Sequence, residues 1–331
     1  MKLLLNTAYS SANAQLLQLQ TAWPGIEIEQ RFDAPDKLDG AGVDILVTEQ
    51  VPHDLSAWPR LQWVQLLSAG SNQILGHPIL KTDIPVTTAS GTHGVPIAQF
   101  ITCTWLMMMH RMPQLLDFKT AHIWPNRGAL AGSILRGMTA GIIGYGSIGR
   151  ESARQLNALG MRIICLKNDP AIKNDSGYNA WPGTGDPEGN IPVAWFGQNQ
   201  LHEMLPQCDL VVVTVPSTPH TEGMIGQREF ALLKKTARMI IISRGGIVEE
   251  KALADALNAG LFAEAVVDCF IQEPLPPDHF FFDVPRLVMT PHMSGVYEGF
   301  WPVMIRLLAE NLRRHREGSP LLNQVSRRQG Y

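Results

Sequence analysis

An apolar run that closes in a glycine-spaced turn constrains this chain more than any other feature. Gly141-Ile142-Ile143 leads into Gly144-Tyr145-Gly146-Ser147-Ile148-Gly149-Arg150, and a helical segment follows as far as Gly160. A strand, a turn of this G-x-G-x-x-G spacing and a helix make the unit in which a dinucleotide pyrophosphate approaches the backbone. Gly144 permits the tight turn, Gly146 lets the phosphates come close, and Gly149 lets the helix pack on the strand. The open N–H groups of the helix's first turn, and its dipole, then face the anion. Tyr145, Ser147 and Ile148 fill the positions between the glycines and join the candidate cofactor-binding set.

At 331 residues the chain is long for one core, and two domains are expected. Strand patterns fall at Lys2–Asn6, Ile45–Thr48, Trp63–Leu67 and Pro85–Thr88, separated by more polar helical stretches. The pattern turns helical from Val95 to Leu116. After the loop Trp124–Gly128 and the glycine turn, further strands read at Arg162–Leu166, Leu210–Val215, Met239–Ser243, Ala265–Asp268 and Leu287–Met289. A last helix runs over Phe300–Arg316. This alternation predicts an α/β protein of two doubly wound parallel sheets. The connection between Pro170 and Asn199, dense in Gly, Pro and polar residues, is too long for an ordinary strand–helix loop and is read as a functional excursion or an insertion.

Composition narrows the classes of function. A net charge of -3 offers no electrostatic case for nucleic acid or an anionic membrane. The longest apolar stretch, around Ile97–Met109, is interrupted by Gln99 and threonines, and Met1–Asn6 reads as a first strand rather than a leader peptide. Cys103, Cys165, Cys208 and Cys269 stand apart from one another in apolar runs. No metal-ligand or disulfide spacing appears, so a reducing cytoplasm is the expected location.

Three reactive side chains follow successive strands: Arg244 in Ile242-Ser243-Arg244-Gly245-Gly246, Glu273 in Gln272-Glu273-Pro274, and His292 in Thr290-Pro291-His292-Met293-Ser294-Gly295. In doubly wound sheets the ligand crevice lies beyond the carboxyl ends of the strands, so residues far apart in sequence can converge there. The set suits hydride transfer to a 2-oxo acid. A guanidinium holds a carboxylate or polarises a carbonyl through parallel hydrogen bonds. Imidazole, with an ordinary pKa of about 6.5, can give a proton to the forming alkoxide and take it back in reverse. A carboxylate on its far nitrogen fixes the tautomer. Taken singly, each of the three also reads as an ordinary surface or loop residue.

At these motifs the chain resembles the D-isomer-specific 2-hydroxyacid dehydrogenase family. The matching blocks are 135–149, 241–248, 267–276 and 290–295, in the family's order and spacing. The resemblance implies a flavodoxin-like substrate domain from both ends of the chain (1–108 and 293–331), with a Rossmann cofactor domain (109–292) inserted between. It assigns Arg244 to substrate binding and activation, His292 to acid/base work and Glu273 to the histidine's partner. Asp268 matches the residue that hydrogen-bonds the nicotinamide carboxamide. Ser243, Val215 and Pro216 line the cofactor cleft, and Thr221 matches a cleft-side position. Ser68-Ala69-Gly70-Ser71 resembles the loop whose amides receive the substrate carboxylate, so Ala69, Gly70 and Ser71 join Arg244 and His292 as substrate-binding candidates; a simple turn is the other reading. Gln99 stands where the family usually has glutamate, and His93 reads as structural or merely near the cleft. The excursion after Asp169 looks like an insertion of fungal members. A homodimer through the cofactor domains is implied as well.

The choice of cofactor rests on the end of Arg162–Leu166. An acidic residue there, about twenty residues beyond the glycine turn, would bind the ribose of NAD. Aligned with the family, the position holds Lys167, then Asn168. A lysine can neutralise a 2′-phosphate, which favours NADP; Asp169 leaves NAD possible. The leading expectation is an NADP-preferring reductase giving D-2-hydroxy acids, with a nucleotide-sensing corepressor on the same scaffold as the alternative. Phe300, Trp301 and Met107–Met109 read either as core packing or as an apolar pocket for bulky oxo acids.

Overall fold

Residues 1–8 and 13–327 are described by a computed structural model. The chain divides into two compact units. One comprises Met1–His93, Gly177–Pro182 and Tyr297–Tyr331; the other comprises Gly94–Ser176 and Gly183–Val296. Residues 9–12 and 328–331, inside the substrate-domain expectation, lie outside the described residues.

The first unit rests on a five-stranded parallel sheet. Its strands are β1 (Lys2–Asn6), followed by α1 (Asn13–Ala22), then β2 (Glu27–Arg31), β3 (Ile45–Thr48), β4 (Trp63–Leu66) and β5 (Val86–Thr87). They stand in the order β2-β1-β3-β4-β5, the flavodoxin-like arrangement. β3 and β4 are buried throughout, as strands covered on both faces must be. The edge strand β2 was not expected. Its sequence Glu-Ile-Glu-Gln-Arg carries one apolar residue and is nowhere fully buried, so no apolar pattern marks it.

The second unit opens with α2 (Gly94–Met109) and α3 (Met112–Thr120). The single helix expected over Val95–Leu116 is therefore two. The break falls where Arg111 takes a left-handed φ of 54° and Pro113 opens the next helix. Then come β6 (Thr139–Ile143), α4 (Ser147–Ala158), β7 (Arg162–Leu166), β8 (Ala194–Phe196), α5 (Leu201–Met204), β9 (Leu210–Val213), α6 (Gln227–Phe230), β10 (Arg238–Ile241), α7 (Glu250–Asn258), β11 (Glu264–Val267) and β12 (Leu287–Met289). All strands run parallel in the order β12-β11-β10-β9-β6-β7-β8. That is the Rossmann order with one strand added, and its switch point lies between β6 and β9. β8, on the return leg of the excursion, is the second strand that the sequence pattern missed.

The last helix, α8 (Phe300–Glu317), ends at Gly318 in the left-handed conformation with φ 65°. Trp301, Met304, Leu307, Leu308 and Leu312 pack with Leu3, Leu5, Ile45, Val47 and Trp63 in the first unit's core. Trp301 is thus core rather than pocket. Met108 and Met109 likewise belong to the core of the second unit.

Candidate functional site: a glycine turn and an acid/base corner

β6 ends in the glycine turn, and each glycine there is required for a different reason. Gly144 has φ 99°, and a Cβ on it would press on Val215 N and the end of Thr214. A Cβ on Gly149 would strike the Gly144 carbonyl, while one on Gly146 would meet nothing within 4 Å. The turn is therefore packed on two sides and open at Gly146, with Ser147 and Ile148 starting α4. Thr214 Oγ1 donates to Gly144 O at 2.6 Å. The neighbouring turn is held by Thr221, whose hydroxyl donates to Pro216 O (2.7 Å) and accepts Thr218 N (2.9 Å). Val215 is buried beside it. Ser243, past the end of β10, keeps a buried hydroxyl with no hydrogen-bond partner among the described residues.

Lys167 follows β7, and its Nζ donates to Ile172 O at 2.5 Å. Burial and the nearby Arg150 charge hold its ammonium below the usual lysine range. Asn168 and Asp169 are exposed, and Asp169 Oδ1 accepts Ala171 N at 3.0 Å, which folds that carboxylate into its own loop. The excursion beyond is tied back to the glycine turn. Tyr145 is buried and donates its hydroxyl to Asp186 Oδ2 at 2.7 Å; burial and Asp186 push its pKa far above the usual phenol range. Asp186 also accepts Asn190 N (2.9 Å) and Ile191 N (3.1 Å). The buried Arg150 donates to the carbonyls of Asp186 and Lys173, faces Asp175 at 3.3 Å and lies over the Tyr145 ring at 4.8 Å. Glu151 accepts Gly185 N and pairs with Arg154 at 2.6 Å. Sequence reasoning missed Arg150, Glu151 and Asp186. The sequence carries no signal for them, because charged residues in the first turns of a helix ordinarily face solvent, whereas here Arg150 and Glu151 are buried.

On the other side of the sheet's switch point, Arg244, Glu273 and His292 follow β10, β11 and β12. His292 Nδ1 lies 2.8 Å and 3.1 Å from the two Glu273 oxygens. Glu273 Oε1 also accepts Phe270 N at 2.9 Å, so its orientation is set locally. Gly245 leaves no room for a Cβ against the Phe270 carbonyl and Ile271 N, which brings the Arg244 and Glu273 loops together backbone to backbone. Glu250, at the start of α7, accepts Ile271 N at 2.8 Å across the same junction. Arg244 Nη1 donates to Ser243 O at 2.7 Å. Burial lowers this guanidinium below its ordinary value, against the opposing charge of Glu273. Burial likewise pushes the neighbouring Cys269 thiol up to about 12.

Asp268 is fully buried. Its Oδ1 accepts the Thr290 hydroxyl (2.5 Å) and Met293 N (2.8 Å), and its Oδ2 accepts Ser294 N (2.9 Å). It therefore braces both flanks of His292, which itself sits at φ 54°. In the first unit, the Ser68–Ser71 loop is held by Ser68, whose hydroxyl donates to Gly70 O (2.7 Å) and whose carbonyl accepts Ala89 N (2.9 Å). Ala69 and Gly70 are half-buried, and Ser71 is buried.

A Rossmann sheet with a glycine turn at its switch point, and an imidazole–carboxylate pair beside an arginine past its strand ends, define a dinucleotide-dependent oxidoreductase. The particular family follows from comparison. The family model described as D-isomer specific 2-hydroxyacid dehydrogenase, NAD binding domain, matches residues 103–294. The chain belongs to that family, whose members are oxidoreductases acting on CH–OH donors. It is 31% identical over 280 residues to a (S)-sulfolactate dehydrogenase of Chromohalobacter salexigens, covering 83% of this chain and 85% of the relative. It is 27% identical over 330 residues to a glyoxylate reductase of Aeropyrum pernix, covering 95% and 93%. Among solved structures, a D-isomer specific 2-hydroxyacid dehydrogenase of Xanthobacter autotrophicus Py2 in complex with NADPH and MES superposes with a TM-score of 0.83 at 25% identity, covering 100% of this chain and 99% of that one.

The residues present fit a nicotinamide dinucleotide. The open approach at Gly146 is where a pyrophosphate needs backbone rather than side chain. The orphaned Ser243 hydroxyl offers a buried polar contact beside Arg244.

Proposed function

We propose that the chain reduces 2-oxo acids to D-2-hydroxy acids and prefers NADPH to NADH. The observation that carries the reading is the His292–Glu273 pair, hydrogen-bonded at 2.8 Å in the same unit as the glycine turn and Arg244. The glyoxylate reductase and sulfolactate dehydrogenase activities of its relatives support a small 2-oxo or 2-hydroxy acid as substrate.

Gly144, Gly146, Ser147, Ile148 and Gly149 would hold the pyrophosphate, with Val215, Pro216, Thr221 and Ser243 along the cleft. The bound cofactor supplies the hydride. Arg244 orients the oxo acid through its planar fork and places positive charge where the alkoxide develops. Glu273 occupies Nδ1 of His292, which leaves Nε2 as the atom that delivers the proton to that alkoxide. In the reverse direction Nε2 takes the proton back, and Glu273 steadies the imidazolium. A 2-oxo acid, a hydride and a proton thus give a 2-hydroxy acid.

The NADPH preference rests on Lys167 at the end of β7, whose ammonium can neutralise a 2′-phosphate, and on the turn that occupies Asp169. The NADPH in the Xanthobacter relative supports it. A homodimer through the cofactor unit is supported by the exposed apolar side chains of Met112, Leu115, Leu116, Ile123 and Trp124 in one stretch of that unit. A cytoplasmic location accords with the isolated cysteines. Among the described residues, no helix is long and apolar enough to cross a membrane.

Initial rates with glyoxylate, hydroxypyruvate, 2-oxoisocaproate and phenylpyruvate, with NADPH and NADH in parallel, test the reading. Turnover favouring NADPH is expected. Turnover favouring NADH would retain the enzyme and shift the cofactor assignment to Asp169; none with either would defeat the reading.

A further inference from the structure

The excursion after β7 does not stay with the unit that it interrupts, because Gly177–Pro182 packs as part of the first unit. There Ala180 N donates to Gly91 O at 3.2 Å, and Trp181 Nε1 donates to Thr92 O at 3.0 Å. The Thr92 carbonyl also accepts the Tyr297 hydroxyl at 3.2 Å, so one acceptor gathers a tryptophan and a tyrosine. The ring centroids of Trp181 and Tyr297 lie 6.1 Å apart. Phe300 meets Tyr297 edge-on at 5.9 Å, and the His93 ring lies 5.4 Å from Phe300. All four rings are half-buried, whereas the adjacent Trp301 is closed into the core. Burial pushes the Tyr297 hydroxyl up to about 12, which keeps it neutral.

The same backbone leads to the Ser68–Ser71 loop. Thr92 N and Thr92 Oγ1 both donate to Ala89 O, and Ala89 N donates to Ser68 O. The loop that the family resemblance assigns to the substrate carboxylate and the aromatic cluster thus share one hydrogen-bonded frame inside the first unit. The polar ends of Trp181 and Tyr297 are both engaged by the Thr92 carbonyl, which ties the two aromatic side chains to this frame.

We propose that Trp181, with Tyr297 and Phe300, is a specificity-determining site for the substrate side chain, and that it selects 2-oxo acids bearing an aromatic group. The inference rests on the reductase reading above and names its substrate class. A 2-oxo acid carries its carboxylate at one end and its side chain at the other, so a carboxylate loop and an apolar surface on one frame read the two ends together. A phenyl group leaves water for such rings through offset or edge-on contacts. Glyoxylate has no side chain to place there.

The test is the ratio of kcat/KM for phenylpyruvate to that for glyoxylate, measured with NADPH in the wild type, Trp181→Ala and Trp181→Phe. The wild type is expected to favour phenylpyruvate. Trp181→Ala should lower the ratio by roughly tenfold or more, mainly through the KM for phenylpyruvate, and Trp181→Phe should restore most of it. A wild type that favours glyoxylate overturns the inference and leaves the reductase reading intact. So does a ratio in Trp181→Ala within about twofold of wild type, whatever the absolute rates, because Trp181 would then be packing only. Reduction of neither acid with either nicotinamide defeats the reductase reading, and the inference falls with it. Should Trp181→Ala fail to fold, Tyr297→Leu carries the same comparison, and the wild-type ratio needs no substitution at all.

Discussion

Two buried aspartates organise the strand ends of the second unit, and they differ in reach. Asp268 collects Thr290, Met293 and Ser294, all within a few residues of His292. Asp186 also collects three donors, but they come from two places: Tyr145 in the glycine turn, and Asn190 and Ile191 in the excursion. The first aspartate shapes one loop that bears a reactive group. The second stitches an insertion to the glycine turn. The same chemistry of a desolvated carboxylate with satisfied oxygens therefore braces the His292 loop in one place and the glycine turn in the other.

Substitutions can break that contrast, beginning with the largest effect. His292→Ala should lower kcat by about 10²–10⁴-fold while cofactor affinity stays close to wild type, read by stopped-flow reduction and fluorescence titration. Asp268→Asn turns an amide donor toward donors already there. It should lower kcat by roughly 100-fold through misplacement of His292, with a much smaller change in the Kd for NADPH. If Kd rises as steeply as kcat falls, the carboxamide role implied by the family resemblance carries the effect instead.

Asp186→Ala should show the opposite signature. Its loss leaves buried donors unsatisfied and should cost about 2–4 kcal/mol in calorimetric stability. Kd for NADPH should suffer more than kcat; an unchanged Kd would mean that the excursion is not coupled to the cofactor turn. Lys167→Asp should shift the NADPH to NADH preference by roughly tenfold, since a charged hydrogen bond contributes about 1.5–3 kcal/mol. A preference that does not move would remove Lys167 from the 2′-phosphate.

The smallest effect concerns a thiol. With its thiol pushed up to about 12, Cys269 should resist iodoacetamide at neutral pH, while the exposed Cys103 reacts first with little loss of turnover.

The placement of Arg244, Glu273 and His292 past the ends of β10, β11 and β12 was legible because each follows an apolar strand in a short motif. The glycine turn was legible for the same reason. What sequence could not supply were features without local periodicity. The edge strand β2 is polar and β8 pairs only on the far side of a long excursion; the break after α2 had a signal in Pro113, but the apolar pattern running on to Leu116 masked it. Asp186 reads as one more acidic loop residue until Tyr145 and Arg150 are seen against it. Its partner Tyr145 lies 41 positions away, so only the folded chain shows the pairing.

The route of the chain has a consequence for how the protein is made. The first unit's sheet is complete by Thr87, but the α8 side chains that cover Leu3, Leu5 and Trp63 come after Tyr297. Val325, which hydrogen-bonds back to Val86, comes later still. Translation of the intervening segment Gly94–Val296 takes about 10–40 s at ordinary elongation rates. During that interval the second unit can close while the nascent sheet of the first still lacks the helix that completes the core over Leu3, Leu5 and Trp63.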